Sequence, residues 1–189
     1  MIPYPIFLDA NVLYSKILIA VLLDMADNQI ISFLWSDQVI QEVAKNWKLA
    51  GKNPTSVDKT LNDLKSAFAL GEITKADYQK TESLLSATHP GDRHVLAAAS
   101  AAAAGYLVTF NLKHFDASEA SIHGLHLIHP DAFLSMLLNR HPNEVIKSIR
   151  GSRSRKTRPQ LTEVEFLDRF KAASVGNFAN NLSNFIGQF

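Results

Sequence analysis

The sequence predicts an α/β fold in three layers, α/β/α, around a mostly parallel sheet, with a helical extension at its C-terminal end. Three observations predict it. The apolar run Ile6-Phe7-Leu8 ends in Asp9 and passes directly into a helical pattern, as expected of a strand buried on both faces of a parallel sheet. Short apolar runs then alternate with helical segments along the chain. The 189 residues are 47% hydrophobic and 20% charged, enough for one substantial core and an appendage.

In order, residues 3–8 form the first strand. Residues 11–27 follow as a helix with Val12, Ile19, Leu22, Leu23 and Ala26 on one face. Ile30 to Trp35 is a second strand. Ser36 or Asp37 caps the next helix, which turns Val39, Ile40 and Val43 inward. Gly51-Lys52-Asn53-Pro54 is a break before helices over roughly 55–70, ended by Gly71, and 74–87. His89-Pro90-Gly91 is the strongest punctuation in the chain. An alanine-rich helix runs from Asp92 to about Ala104, with Gly105 as the residue that stops it. Tyr106 to Phe110 is a strand, 111–116 a loop or single turn, and Leu125 to His129 a last strand. Pro130 opens a short helix.

The division expected is a body of residues 1–140 and an extension of 141–189. In the extension, Asn143 to Ile149 is helical and Arg150 to Arg158 reads as a basic, mobile linker. The Thr162–Glu165 capping pattern then opens a helix with Val164, Leu167, Phe170 and Lys171 along one side. Asn177 to Phe189 closes the chain as a helix whose stripe of Phe178, Leu182, Phe185, Ile186 and Phe189 either packs on the body or meets a partner.

Composition excludes several chemistries. Without cysteine there is no disulfide, thiolate metal site or cysteine nucleophile, which fits a cytoplasmic protein. Met1-Ile2-Pro3-Tyr4-Pro5 lacks the features of a secretory signal, and the apolar run Ile17–Leu23 is too short to span a membrane, so no membrane association is expected. Residues 1–140 are net acidic and 141–189 net basic, which suggests an anionic partner for the tail.

Four acidic or amide positions fall where a parallel sheet gathers them. Asp9 follows the first strand and Glu42 lies one to two turns into the helix after Ser36. Asp92 begins the alanine helix, and Asn111 follows the strand Tyr106–Phe110, with Asp116 shortly after. Singly, each has an ordinary explanation: Asp9 or Asp92 as a helix cap, Glu42 as an exposed helix residue, Asn111 as a turn residue, with Asn11 capping the first helix. Together, converging carboxylates call for a divalent cation with oxygen ligands, and Mg²⁺ or Mn²⁺ suits them. Arg93 and Lys113 stand where they would meet phosphate, and His94 and His114, the histidines nearest these acids, read as structural or peripheral.

The segments Leu8-Asp9-Ala10-Asn11-Val12-Leu13, Ser36 with Glu42, Gly91-Asp92-Arg93-His94-Val95-Leu96-Ala97-Ala98-Ala99 and Leu107-Val108-Thr109-Phe110-Asn111-Leu112-Lys113-His114-Phe115 resemble, in this order, the PIN-domain ribonucleases. Within that family they are most similar to the VapC-type toxins of type II toxin–antitoxin pairs. The resemblance covers roughly residues 5–135. It implies a PIN-like fold and a metal-dependent endoribonuclease with Asp9, Glu42 and Asp92 as catalytic acids. Asp9, Glu42, Asp92 and Asn111 would be the metal ligands. The family more often has Asp at the last position, and Asp116 is the substitute ligand here. Asp9 would anchor a first ion that Asp92 and Asn111 share, and Glu42 would hold a second or orient water. A cognate antitoxin, an RNA substrate and a homodimer are implied as partners. The extension resembles that of long family members, and Arg150, Arg153, Arg155, Lys156 and Arg158 would add salt-sensitive RNA affinity or serve as a solvated hinge.

Two other readings compete. A catalytically inactive PIN-like module that binds RNA or protein is permitted by Asn111 in place of Asp. A haloacid-dehalogenase-like phosphatase also places Asp after its first strand, but it needs a second acid where this chain has Asn11, and ranks lower.

Overall fold

A computed structural model describes residues 2–155 and 161–189. The fold class is the expected one: a five-stranded parallel sheet flanked by helices, a three-layer α/β/α fold with C-terminal helices. The chain forms two compact units that interleave in sequence, one of Tyr4–Tyr14 and Ser32–Ile128, the other of the N-terminal residues, Ser15–Ile31 and His129–Phe189. The helix that begins at Pro130 groups with the C-terminal helices.

The first of these units holds the sheet. Its strands are β1 (Tyr4–Leu8), β2 (Ile31–Ser36), β3 (Glu72–Ile73), β4 (Tyr106–Val108) and β5 (His126–Ile128), in the order β3-β2-β1-β4-β5. Ile6, Phe7 and Leu8 pair with Tyr106, Leu107 and Val108, and β4 continues the register onto β5. Ile6, Phe7, Leu8, Leu107 and Val108 are buried, and each such side chain contributes about 1.5–3 kcal/mol of transfer free energy. Sequence order reverses across the central pair β1/β4, and the carboxyl ends of strands at such a reversal form the ligand crevice of open α/β sheets.

The helix expected over 11–27 is two helices, α1 (Ala10–Leu13) and α2 (Lys16–Asp27). Ser15 is extended between them and its hydroxyl accepts from Leu18 N, a cap that outcompetes continuous helix. Ser36 caps α3 (Asp37–Leu49) as expected, and Asn53 caps α4 (Pro54–Ala67). The two-residue strand β3 was not foreseen; it is too short to carry a hydrophobic period. Gly71 lets it approach β2, because a Cβ there would lie 2.1 Å from Phe33 O. Helix α5 (Lys75–Leu84) opens on the Thr74–Asp77 capping box and stops short of residue 87, since the next amides are captured elsewhere. Helix α6 (Arg93–Ala101) buries His94 through Ala99. Its end is not Gly105: Ala103 takes the left-handed conformation, at φ 49°, while Gly105 N bonds Pro5 O at the start of β4. Asp116 caps α7 (Ala117–Ile122).

In the other unit, α2 packs on α9 (Pro142–Ser154) and α10 (Glu163–Ala172), while α8 (Pro130–Arg140) packs on α9 and on α11 (Gly176–Leu182). The linker expected from Arg150 is helical to Ser154. Its basic side chains explain this: Arg150 donates to Gln188 O, Arg153 to Leu161 O and Phe189 O, and Arg155 pairs with buried Asp24. Lys156 and Arg158 lie outside the described residues. Helix α10 buries Phe166, Leu167 and Phe170, whereas Val164 and Lys171 are exposed. The closing helix ends at Leu182; Phe178, Leu182 and Phe189 are buried, Phe185 is half-buried and Ile186 is exposed. Asp131, in the first turn of α8, accepts from the backbone amides of Asn177 and Phe178 and so fixes the start of α11. Among the described residues no helix is long and apolar enough to cross a membrane.

Candidate active site

Asp9 leaves the end of β1 and its backbone N–H donates to Val108 O, which locks it beside the end of β4. It stands at the N-terminal flank of α1, yet its carboxylate does not cap that helix. It faces inward: Thr109 Oγ donates to Asp9 Oδ2 at 2.6 Å, and Asn11 Nδ2 donates to the same oxygen at 2.6 Å. Asn11 is therefore not a cap. Its amide joins the two strand ends, donating to Thr109 Oγ at 3.1 Å and accepting from Phe110 N at 3.2 Å. Thr109 Oγ also accepts from Asn111 N at 3.0 Å, which sets the turn after β4.

Asp9 is only 4% exposed. Burial pushes its carboxyl pKa up, and the charges of Asp92 and Glu42 push the same way against the Thr109 hydroxyl and Asn11. The structure thus brings together the three acids singled out in the sequence, Asp9, Glu42 and Asp92. The groups that stabilise ionised Asp9 are neutral, so the cluster carries an excess of negative charge in a largely dry place. That charge excess, and a donor set of carboxylate and amide oxygens, fit a hard divalent cation. Tyr14 is part of the same field: burial, then Glu42 and Asp9, raise its phenol pKa, and its hydroxyl accepts from Asn46 Nδ2.

Glu42 projects from α3 toward α6, where its Oε1 lies 3.0 Å from His94 Nε2 without hydrogen-bond alignment. His94 is buried, in keeping with the structural role expected of it. Asp92 sits at the head of α6 but, like Asp9, does not cap its helix. Its Oδ2 lies 3.0 Å from His89 Nδ1 and 3.2 Å from His114 Nδ1.

The loop before α6 is held from three sides. Glu119 accepts from the backbone amides of Ser86, Ala87 and Thr88 at 2.6–2.8 Å. Burial, the largest influence on Glu119, would raise its pKa, but these amides outweigh it and hold the carboxyl at about 2. Thr88 Oγ accepts from Asp116 N at 3.1 Å. Arg93 donates to Thr88 O and Ser86 O, so its guanidinium braces the loop.

Of the other expected site residues, Asn111 is at the end of β4, tied to Thr109 through its backbone. Asp116 Oδ1 accepts from Glu119 N as the cap of α7. Lys113 is exposed on a 3₁₀ turn, residues Leu112–His114. Arg150, Arg153 and Arg155 belong to the helical unit and make the internal contacts described above. Thr109, Tyr14, His89 and Glu119 were missed. Thr109 had one visible signal, its place between the strand and Asn111; His89 had another, its place three residues before Asp92, while Glu119 reaches residues 86–88 across more than thirty positions.

The site is an acidic cluster at the central crevice of a parallel α/β sheet. Comparison with known families makes it specific: the PIN domain matches residues 5–113, and the VapC50 C-terminal domain matches residues 130–184. The chain belongs to the PIN-domain family, as a VapC-type nuclease toxin with a C-terminal extension. No curated protein and no solved structure matches it.

Proposed function

We propose that this protein is a metal-dependent endoribonuclease, using Mg²⁺ or Mn²⁺, and the toxin of a type II toxin–antitoxin pair acting in the cytoplasm. The observation that supports it is the convergence of Asp9, Asp92 and Glu42, with Asp9 buried and flanked by neutral hydrogen-bond donors. Asp9, Asp92, Glu42 and the Asn111 amide would hold the cation. A bound divalent cation supplies charge neutralisation at a phosphate and a lowered pKa for coordinated water. The chain's own residues do the positioning. Thr109 and Asn11 fix one oxygen of Asp9 and leave the other for the ligand. Glu42, partly exposed, is placed to orient a water or a second cation. Exposed Lys113 supports contact with an RNA backbone, which positions the strand without reading its sequence. A cognate antitoxin would close the acidic cluster with a basic side chain, and a homodimer is the expected assembly.

The test is cleavage of total cellular RNA by purified protein with Mg²⁺ or Mn²⁺, with EDTA and Asp9→Asn as controls. Discrete cuts lost in both controls are expected. Folded, inhibitor-free protein that makes no cuts, or Asp9→Asn that cuts as well as wild type, overturns the assignment in favour of a binding module.

A further inference from the structure

The nuclease reading leaves one group of side chains unused: His89 and His114, which converge with Asp92. Their three ligand atoms, two Nδ1 and one carboxylate oxygen, all lie within 4.8 Å of one another. The backbone builds this arrangement. His89 N donates to His114 O at 2.8 Å, Asp92 N donates to His89 O at 2.8 Å, and the two imidazoles stack with centroids 5.1 Å apart.

Gly91 N–H lies 3.2 Å from His89 Nδ1 and helps to hold that edge of the ring toward Asp92. The separations suit coordination. Bonds of about 2.0–2.2 Å to a zinc-class ion place neighbouring ligand atoms about 3.0–3.4 Å apart, from octahedral to tetrahedral geometry. The two histidine nitrogens stand 3.0 and 3.2 Å from the shared oxygen. His89 is largely exposed, which leaves the rest of the coordination sphere to water.

The geometry points to His89, Asp92 and His114 as a second divalent-cation site, one that takes a borderline transition ion such as Zn²⁺, Co²⁺ or Ni²⁺ in preference to Mg²⁺. Imidazole nitrogen selects such ions, whereas the oxygen donors around Asp9 do not exclude Mg²⁺. The site shares Asp92 with the acidic cluster, and it does not depend on the nuclease reading.

The experiment is titration of tag-free protein with Co²⁺, followed by visible absorbance, with Mg²⁺ affinity measured by calorimetry on the same samples. Wild type is expected to develop a Co²⁺ ligand-field band. His89→Gln and His114→Gln should each weaken Co²⁺ binding at least tenfold and leave Mg²⁺ binding unchanged, while Asp9→Asn keeps the band. Equal Co²⁺ binding by wild type and both histidine variants overturns the site, as does loss of the band in Asp9→Asn alone, which would assign the ion to the acidic cluster. A measurement without substitution gives a second check. Zn²⁺ added to wild type should shift the ring C–H resonances of two of the seven histidines, and no such shift refutes the site. Absence of RNA cleavage leaves all these readouts in place, so the two proposals fail separately.

Discussion

Thr109→Val tests whether the buried hydroxyl organises the acidic cluster. Valine keeps the shape of the side chain and removes one oxygen. That oxygen donates to Asp9 Oδ2 at 2.6 Å and accepts from Asn11 Nδ2 and Asn111 N at 3.1 and 3.0 Å. A hydrogen bond to a charged acceptor is worth about 1.5–3 kcal/mol, and the position is fully buried, so water does not replace it. Asn11 keeps its own bond to Asp9, which limits the further loss. The expected destabilisation is about 2–3 kcal/mol. At about 2–4 °C per kcal/mol for a chain of this size, thermal unfolding should fall by about 4–12 °C. The assay is thermal and urea unfolding at pH 8 in EDTA, so that no cation intervenes. Repeating it in an Asp9→Asn background closes a double-mutant cycle, and the cost of Thr109→Val should drop below about 1 kcal/mol there. An unfolding midpoint within about 1 °C of wild type refutes the reasoning. So does an undiminished cost in the Asp9→Asn background, which would place the effect in packing or in the Asn111 amide.

Two further outcomes follow from hydrogen bonds that hold loops. Glu119 is held at about 2, below the ordinary carboxylate value, by the amides of residues 86–88. Its stabilising effect is therefore complete above the unfolded-state pKa and is lost as pH falls from there toward about 2. Glu119→Gln should remove that component of acid sensitivity and speed amide exchange at Ser86–Thr88 about tenfold; unchanged exchange would mean the loop is held by Arg93 and Asp116 alone. Asp131→Ala leaves the amides of Asn177 and Phe178 without their acceptor and should destabilise the helical unit by about 2–4 kcal/mol, read by urea unfolding. Retention of wild-type stability would show that packing of Phe178 alone sets the start of α11.

The sequence by itself determined the alternation of four strands with helices and the parallel sheet they build. These were legible because strand periodicity, capping residues and glycine or proline breaks are local properties of the chain. Even the Ser36 and Thr162 caps were readable, since a cap bonds within three residues of itself. The tertiary structure decided what each polar side chain does. Asn11 has the signature of a cap but bridges to Thr109, 98 positions away in sequence, because β1 and β4 end side by side. Glu119, with no signal of its own, clamps residues 86–88. The basic run 150–155 reads as solvated linker, yet Arg150 and Arg153 find carbonyls near the chain's end and Arg155 finds Asp24. The same cause accounts for all three. A polar group's role is fixed by the partner that satisfies it, and partners brought in from distant sequence leave no periodic trace near the residue itself.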